Sequence, residues 1–253
     1  NRVVSIFYRS VPIFLTIYIL FRITLNLDNC SPWYDEAMQF WISFGCDPDE
    51  ITMDNSVVEV VKLNQIFNHD PGGFSLLLHF WLKVSQSIEW IRLLPLLFFI
   101  GSVMVISLTI QSLFKDKLLS FICSLIPFLF DSLLYFSTEI RAYSMECLCS
   151  SFSMLAVCIL PKQKAFGKIT LFSIMLCLLM TSRYSAIIEV AIAMLVIALY
   201  WLRHYRISAK ERIFFLIVPF VTIACLIYFF SLSLQNPSIK TPYYIDTSFK
   251  IDG

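Results

Sequence analysis

The chain has 253 residues, 58% of them hydrophobic and 16% aromatic, with a mean hydropathy of +0.76. That profile excludes an ordinary soluble domain and fits a polytopic helical membrane protein. The formal net charge is +1, so no broad basic field marks a nucleic-acid binder.

A membrane-crossing helix needs roughly 20 apolar residues. On that scale the sequence predicts seven spans, at 10–27, 93–114, 118–137, 142–160, 167–182, 185–202 and 213–234, in an all-α membrane domain. The first apolar segment has no cleavable-signal pattern and reads as a true span. Arg22 within it reads as a snorkelling anchor. Between the first two spans lies a long mixed segment, 28–92.

That segment opens with SPWYDEAMQFW, residues 31–41, in which Asp35 and Glu36 sit among aromatics. Ser31 and Pro32 suit a helix start. Asp35, Glu36, Gln39 and Ser43 share one helical face, and Trp33, Met38, Trp41, Ile42 and Phe44 cover the others. This is the pattern of an interfacial helix, and its plainest reading is a solvated polar stripe. NHDPGG, residues 68–73, then marks a tight turn. It leads into GGFSLLLHFWLKVSQ, residues 72–86, where Ser75, His79, Lys83 and Gln86 form a narrow stripe. At about 22 Å this second interfacial helix is short for a crossing.

Charge bias gives the orientation. If 72–86 does not cross, Arg2, Arg9, Lys115, Lys117, Lys162, Lys164, Lys168, Arg203, Arg206, Lys210 and Arg212 gather on one side. The positive-inside rule makes that side cytoplasmic. The N-terminus is then inside a plasma-type membrane, and 28–92, 138–141, 183–184 and 235–253 face outward.

Further along, the third span ends in YFSTEIRAYSME, residues 135–146. Glu139, Arg141 and Tyr143 fall at its outer end, Arg183 at the next outer junction, and Arg92 just ahead of the second span. Glu139 and Tyr143 share a face if the helix runs through them. An exposed Glu139–Arg141 pair is worth little by itself, but charges at membrane depth more often line a cavity. Asp131, Glu146 and Glu189 are further acids at or within spans, without an assigned role. Of eight cysteines, six lie in apolar segments as small hydrophobes; Cys30 and Cys46 share one outer loop, where a disulfide is conceivable.

Taken in order, these pieces resemble the GT-C membrane glycosyltransferases, in the branch of protein O-mannosyltransferases and lipid A aminoarabinose transferases. The matching residues are Asp35-Glu36; His69-Asp70-Pro71 with Leu76 to Lys83; Arg92-Leu93 with Pro95; and Ser137, Glu139, Arg141 and Tyr143. The resemblance runs from about residue 12 to about residue 200. It departs from the family at the turn, where Asp70 replaces the first of two prolines and Gly72-Gly73 follow. Family members also continue beyond seven spans, so this chain is expected to be a fragment carrying the conserved module.

The resemblance implies an inverting transfer of a sugar from a polyprenyl-phosphate donor to a hydroxyl of a lipid, glycan or protein, on the extracytoplasmic face. It implies Asp35 as general base with Glu36 beside it, and Arg141, Arg92, Arg183 and Lys83 on the donor phosphate. Glu139, Tyr143, His69 and Asp70 would bind sugar or organise the site. No metal is demanded, although Asp35, Glu36, Glu139, His69 and Asp70 offer suitable ligand atoms. The competing reading is a multispan transporter of a small polar or anionic solute; the clustering of polar groups at one face, rather than at the midplane, disfavours it. A seven-span receptor is disfavoured by the N-in, C-out orientation.

Overall fold

A computed structural model describes residues 2–27, 32–47, 54–68, 70–162 and 166–204, with isolated positions between 217 and 228. The expected spans at 213–234, the tail beyond it, Cys30 and His69 thus lie wholly or largely outside the described residues. The described part is helical throughout: α1 (Arg2–Leu27), α2 (Tyr34–Phe44), α3 (Val57–Phe67), α4 (Gly73–Leu82), α5 (Ile88–Phe114), α6 (Lys117–Leu125), α7 (Asp131–Thr138), α8 (Tyr143–Ile159), α9 (Phe166–Met180) and α10 (Tyr184–His204).

Among the described residues, two helices are long and apolar enough to cross a membrane, Ile88–Phe114 and Tyr184–Trp201. A third crossing exists if α6 and α7 count as one broken span. The sequence reading expected seven; 213–234 lies largely outside the described residues, and 118–137, 142–160 and 167–182 form broken or shorter helices. The segment 118–137 is not continuous: its halves meet at 82°. Pro127 opens a short 3-10 turn, Ile126–Leu129, and Phe130 is extended, so the hydrogen-bond ladder breaks there. α8 and α9 have 17 and 15 residues, at and just below the lower end of the length that crosses a bilayer. α10 carries a lipid-type stripe, with Ile188, Ile192, Leu195 and Leu199 all exposed at helical spacing.

α5 is the axis of the fold. It runs along α8, which in turn packs on α10 and α9. One core joins α4, α5, α8, α9 and α10 through Phe74, Leu78, Ile91, Met145, Leu176, Met180 and Trp201. A second, on the opposite flank of α5, joins it to α1, α6 and α7 through Ile19, Ile23, Phe99, Phe128 and Leu134. α5 begins at Ile88, earlier than expected, because the Ser87 side chain caps it by accepting from the Trp90 N–H. That start takes Arg92 into the helix.

The loop 28–92 holds three helices where two were expected. α3 was missed because its valine-rich start favours a strand and its polar residues, Glu59, Lys62, Asn64 and Gln65, make no single stripe. α2, α3 and α4 pack together, and α4 docks on α5. Their polar stripes point inward. On α2, Glu36, Gln39 and Ser43 are buried while Trp33, Tyr34 and Trp41 are exposed. On α4, Ser75 and His79 are buried and Leu77 and Phe80 exposed. The solvated stripe is therefore corrected: these helices bury polar groups among themselves and turn aromatic groups outward, the arrangement suited to a membrane interface.

A polar network fastens the three helices. Gln39 Nε2 donates to Ser75 Oγ at 2.8 Å, Ser75 Oγ to Asn64 Oδ1 at 2.5 Å, and Asn68 Nδ2 to Gln39 Oε1 at 2.9 Å. Asn64 Nδ2 donates to the Asp70 carbonyl at 2.7 Å, which fixes the turn before α4. Buried amides left unpaired would each cost about 1–3 kcal/mol, so this network rewards a single arrangement.

Candidate functional site

The DE pair divides between two tasks. At the start of α2, Glu36 turns inward and is 4% exposed; its Oε2 lies 3.4 Å from Nη2 of Arg92, itself 5% exposed. Glu36 also accepts from the Trp33 N–H at 3.3 Å and, through Oε1, from the Ile140 N–H at 2.9 Å. One carboxylate thus ties α2 to α5 and to the loop between α7 and α8. Asp35 points elsewhere. Its Oδ2 is 3.0 Å from Nη1 of Arg141, and this pair is open to solvent, with Asp35 38% and Arg141 19% exposed.

The residues 139–142 are a break, not a helix. α7 ends at Thr138, and Glu139 is extended. The Ser137 and Thr138 hydroxyls bond back to the carbonyls of Leu134 and Tyr135, and the Ser144 hydroxyl takes up the Phe136 carbonyl. These bonds satisfy orphaned carbonyls at the helix end. The expected shared face of Glu139 and Tyr143 is therefore absent, and Arg141 pairs with Asp35 rather than Glu139.

Glu139 is 2% exposed, and neither carboxylate oxygen accepts a full hydrogen bond from a described residue. Burial pushes its pKa up to about 7, Glu36 adds to the rise, and Arg141 and the Trp33 indole oppose it only in part. Near neutral pH this acid is poised between protonated and charged.

A second group of charges adjoins the first. Arg183 Nη1 lies 3.2 Å from Glu146 Oε2, and its Nε lies 3.7 Å from Asp70 Oδ1. Ser185 donates to the other Glu146 oxygen. The Asp70 carboxyl is raised above the usual range by burial, with Arg183 and Arg141 pulling it back. Tyr143 stands between the groups: the Arg183 and Arg141 guanidinium carbons lie 4.9 and 5.6 Å from its ring centroid.

The Gly72-Gly73 turn makes this meeting possible. Gly72 has φ +89°, a left-handed conformation that favours glycine. A Cβ on Gly73 would come 2.0 Å from Thr181 Oγ1 and 2.7 Å from the Thr181 carbonyl. The Gly73 N–H donates to that same carbonyl at 2.9 Å. The close approach brings the turn carrying Asp70 beside the end of α9, and so beside Arg183. The Gly72-Gly73 turn is thus a packing device here.

Asp35, Glu36, Asp70, Arg92, Glu139, Arg141, Tyr143 and Arg183 come together. Lys83 does not: it sits at the far end of α4, over the Phe80 ring at 4.9 Å, and makes no ion pair with the described residues of this cluster. His79, also on that stripe, is a buried structural residue whose Nδ1 lies 2.9 Å from the Ser43 carbonyl. Glu146 belongs to the cluster although its sequence gave it no role; its position one turn past Tyr143 was the available signal. Glu189 is removed from it, paired with the Ser150 hydroxyl across α8 and α10. Arg22 does not merely snorkel: its Nη2 is 2.6 Å from Asp131, at the start of α7. Cys46 is a free thiol.

Two apolar hollows border the cluster. One of about 260 Å³ lies between α2 and the start of α5, with Glu36 in its wall beside Phe40, Trp41 and Ile91. The other, about 340 Å³, lies between α5, α7 and α8 and has Tyr143 in its wall. Among the described residues, no three His, Cys, Asp or Glu side chains are grouped to hold a metal ion. Compared with family models, curated proteins and solved structures, the chain matches none.

Proposed function

We propose that the chain is a membrane glycosyltransferase of GT-C type, which takes a sugar from a polyprenyl-phosphate donor and gives it to an acceptor hydroxyl at the outer face of a plasma-type membrane. The proposal includes the seven-span, N-in topology, with the α2–α4 cap lying on the outer surface. The observation that carries it is the Asp35–Arg141 pair: a solvent-reachable carboxylate held 3.0 Å from a guanidinium, beside Tyr143 and Arg183 and between apolar hollows. The order of motifs along the chain supports the same reading.

The chemistry follows from these residue types. A hydroxyl is a weak nucleophile, and Asp35 takes its proton as the acceptor oxygen bonds to the anomeric carbon. The bond from that carbon to the phosphate oxygen breaks, and the polyprenyl phosphate leaves with the electron pair. Arg141 and Arg183 stabilise the charge that develops on it, and Arg grips phosphate oxygens bidentately. Attack from the face opposite the leaving group inverts the anomeric centre. Glu36 and Arg92 are the scaffold beneath, and Glu139 and Asp70 face the sugar. The acceptor remains open to lipid, glycan or protein.

The test is donor binding by the protein in lipid nanodiscs. Radiolabelled polyprenyl-phosphate sugar is expected to bind, and Arg141→Ala to weaken it at least tenfold. Donor affinity unchanged by that substitution would remove Arg141 from the phosphate and take away the proposal's main support.

A further inference from the structure

The three arginines of the cluster are not equally available to an anion. Arg92 is sealed against Glu36, both about 95% buried. Drawing it away would leave a buried carboxylate without its cation, the costliest kind of rupture. Arg183 is held by two acids, Asp70 and Glu146. Among the described residues Arg141 has a single carboxylate within ion-pair range, Asp35, whose side chain is 38% exposed. Solvent-exposed pairs are weak and exchange partners readily.

That same contact occupies Asp35. Oδ2 lies 3.0 Å from the guanidinium, so an incoming hydroxyl finds this oxygen covered. One side chain therefore stands between the proposed base and the proposed phosphate site. Resting on the function proposed above, we infer that Arg141 is an exchangeable cover. In the ligand-free protein it covers Oδ2 of Asp35; the donor phosphate anion draws it off, and this oxygen is uncovered only when the donor is in place.

This arrangement has a use. A base exposed without a donor has nothing to activate, whereas a base uncovered by the donor commits the site to a donor-first order. The exchange moves no net charge into the site beyond the anion itself, because Arg141 trades one anionic partner for another. Glu36–Arg92 and Asp70–Arg183–Glu146 remain paired and keep the frame in place.

Exchange is reciprocal by thermodynamic necessity. If Asp35 competes with phosphate for Arg141, then removing the Asp35 charge must tighten phosphate binding. The experiment measures farnesyl phosphate binding to the protein in nanodiscs of neutral lipid, with farnesol and inorganic phosphate in parallel arms. Asp35→Asn is expected to bind farnesyl phosphate about two- to fivefold more tightly, the range set by an exposed ion pair. In an Arg141→Ala background the same substitution is expected to change nothing, which separates exchange at Arg141 from general repulsion by Asp35.

Carbodiimide labelling of Asp35, read by peptide mass spectrometry against the exposed Asp116 as reference, gives a second reading. It is expected to rise at least threefold with farnesyl phosphate and not with farnesol. A rise with inorganic phosphate alone supports exchange with the free anion as its source. Farnesyl phosphate that binds without raising Asp35 labelling, or binds Asp35→Asn no more tightly, overturns the cover while leaving the donor site standing. Absence of farnesyl phosphate binding overturns both.

Discussion

Two adjacent carboxylates with opposite surroundings should respond oppositely to removal. Glu36→Ala would take away the carboxylate 3.4 Å from the buried Arg92 guanidinium, at a cost of about 3–5 kcal/mol. It would also orphan the Ile140 N–H, worth about 1–3 kcal/mol. Even with the lower figures the loss is about 4 kcal/mol, a large part of the stability of a typical domain. Asp35→Ala breaks a half-open pair and should cost about 1 kcal/mol or less. Reversible unfolding in mixed detergent micelles, followed by dye labelling of the fully buried Cys149, would measure both. A double substitution, Glu36→Met with Arg92→Met, should cost less than the two single losses summed, because neither charge is then left alone. If Asp35→Ala proves as destabilising as Glu36→Ala, the division of the pair into base and scaffold is wrong.

Other expectations are as specific. Glu139 has a folded pKa of about 7 against its usual 4.5, so the native state binds the extra proton between those values. Its contribution to stability is therefore greatest at the acid end and is lost as pH rises through about 7. Glu139→Gln should remove that step and leave the protein more stable than wild type at pH 8; thermal unfolding from pH 5 to 8 would reveal it, and an unchanged difference across that range would contradict it. Gly73→Ala should push α4 away from Thr181, costing about 1–3 kcal/mol and weakening the Asp70–Arg183 contact, as seen by unfolding and donor binding. Cysteine placed at 115–117 should resist an impermeant thiol reagent added outside intact cells; prompt labelling would reverse the proposed topology.

The sequence disclosed which residues matter better than how they meet. A carboxylate or guanidinium is conspicuous in an apolar chain because burying it is expensive, and most of the singled-out charges do gather. Their partners were hidden. Asp35 pairs with Arg141, and Glu36 with Arg92, across long separations that no local pattern encodes. Glu139 and Arg141 are close neighbours in sequence and invited pairing, but the chain breaks between α7 and α8, and the Arg141 guanidinium meets Asp35 instead. The stripe on α2 was visible, yet periodicity shows only that a polar face exists. Where lipid replaces water outside, that face turns in, as Gln39 and Ser43 do. Pro127 carried the signal for the bend in the third apolar segment, but hydropathy averaged over a span conceals one residue. α3 was lost because its polar residues, Glu59, Lys62, Asn64 and Gln65, scatter around the helix and leave its core positions, Val60 and Leu63, without a visible stripe.

The central claim is that Asp35 takes the proton of an acceptor hydroxyl while a polyprenyl phosphate leaves. The most direct measurement follows release of polyprenyl phosphate from a radiolabelled polyprenyl-phosphate sugar in vesicles holding the protein, comparing wild type with Asp35→Asn. The account predicts release by wild type and a fall of at least a hundredfold in the folded Asp35→Asn protein, with donor still bound. Undiminished release by Asp35→Asn would contradict it.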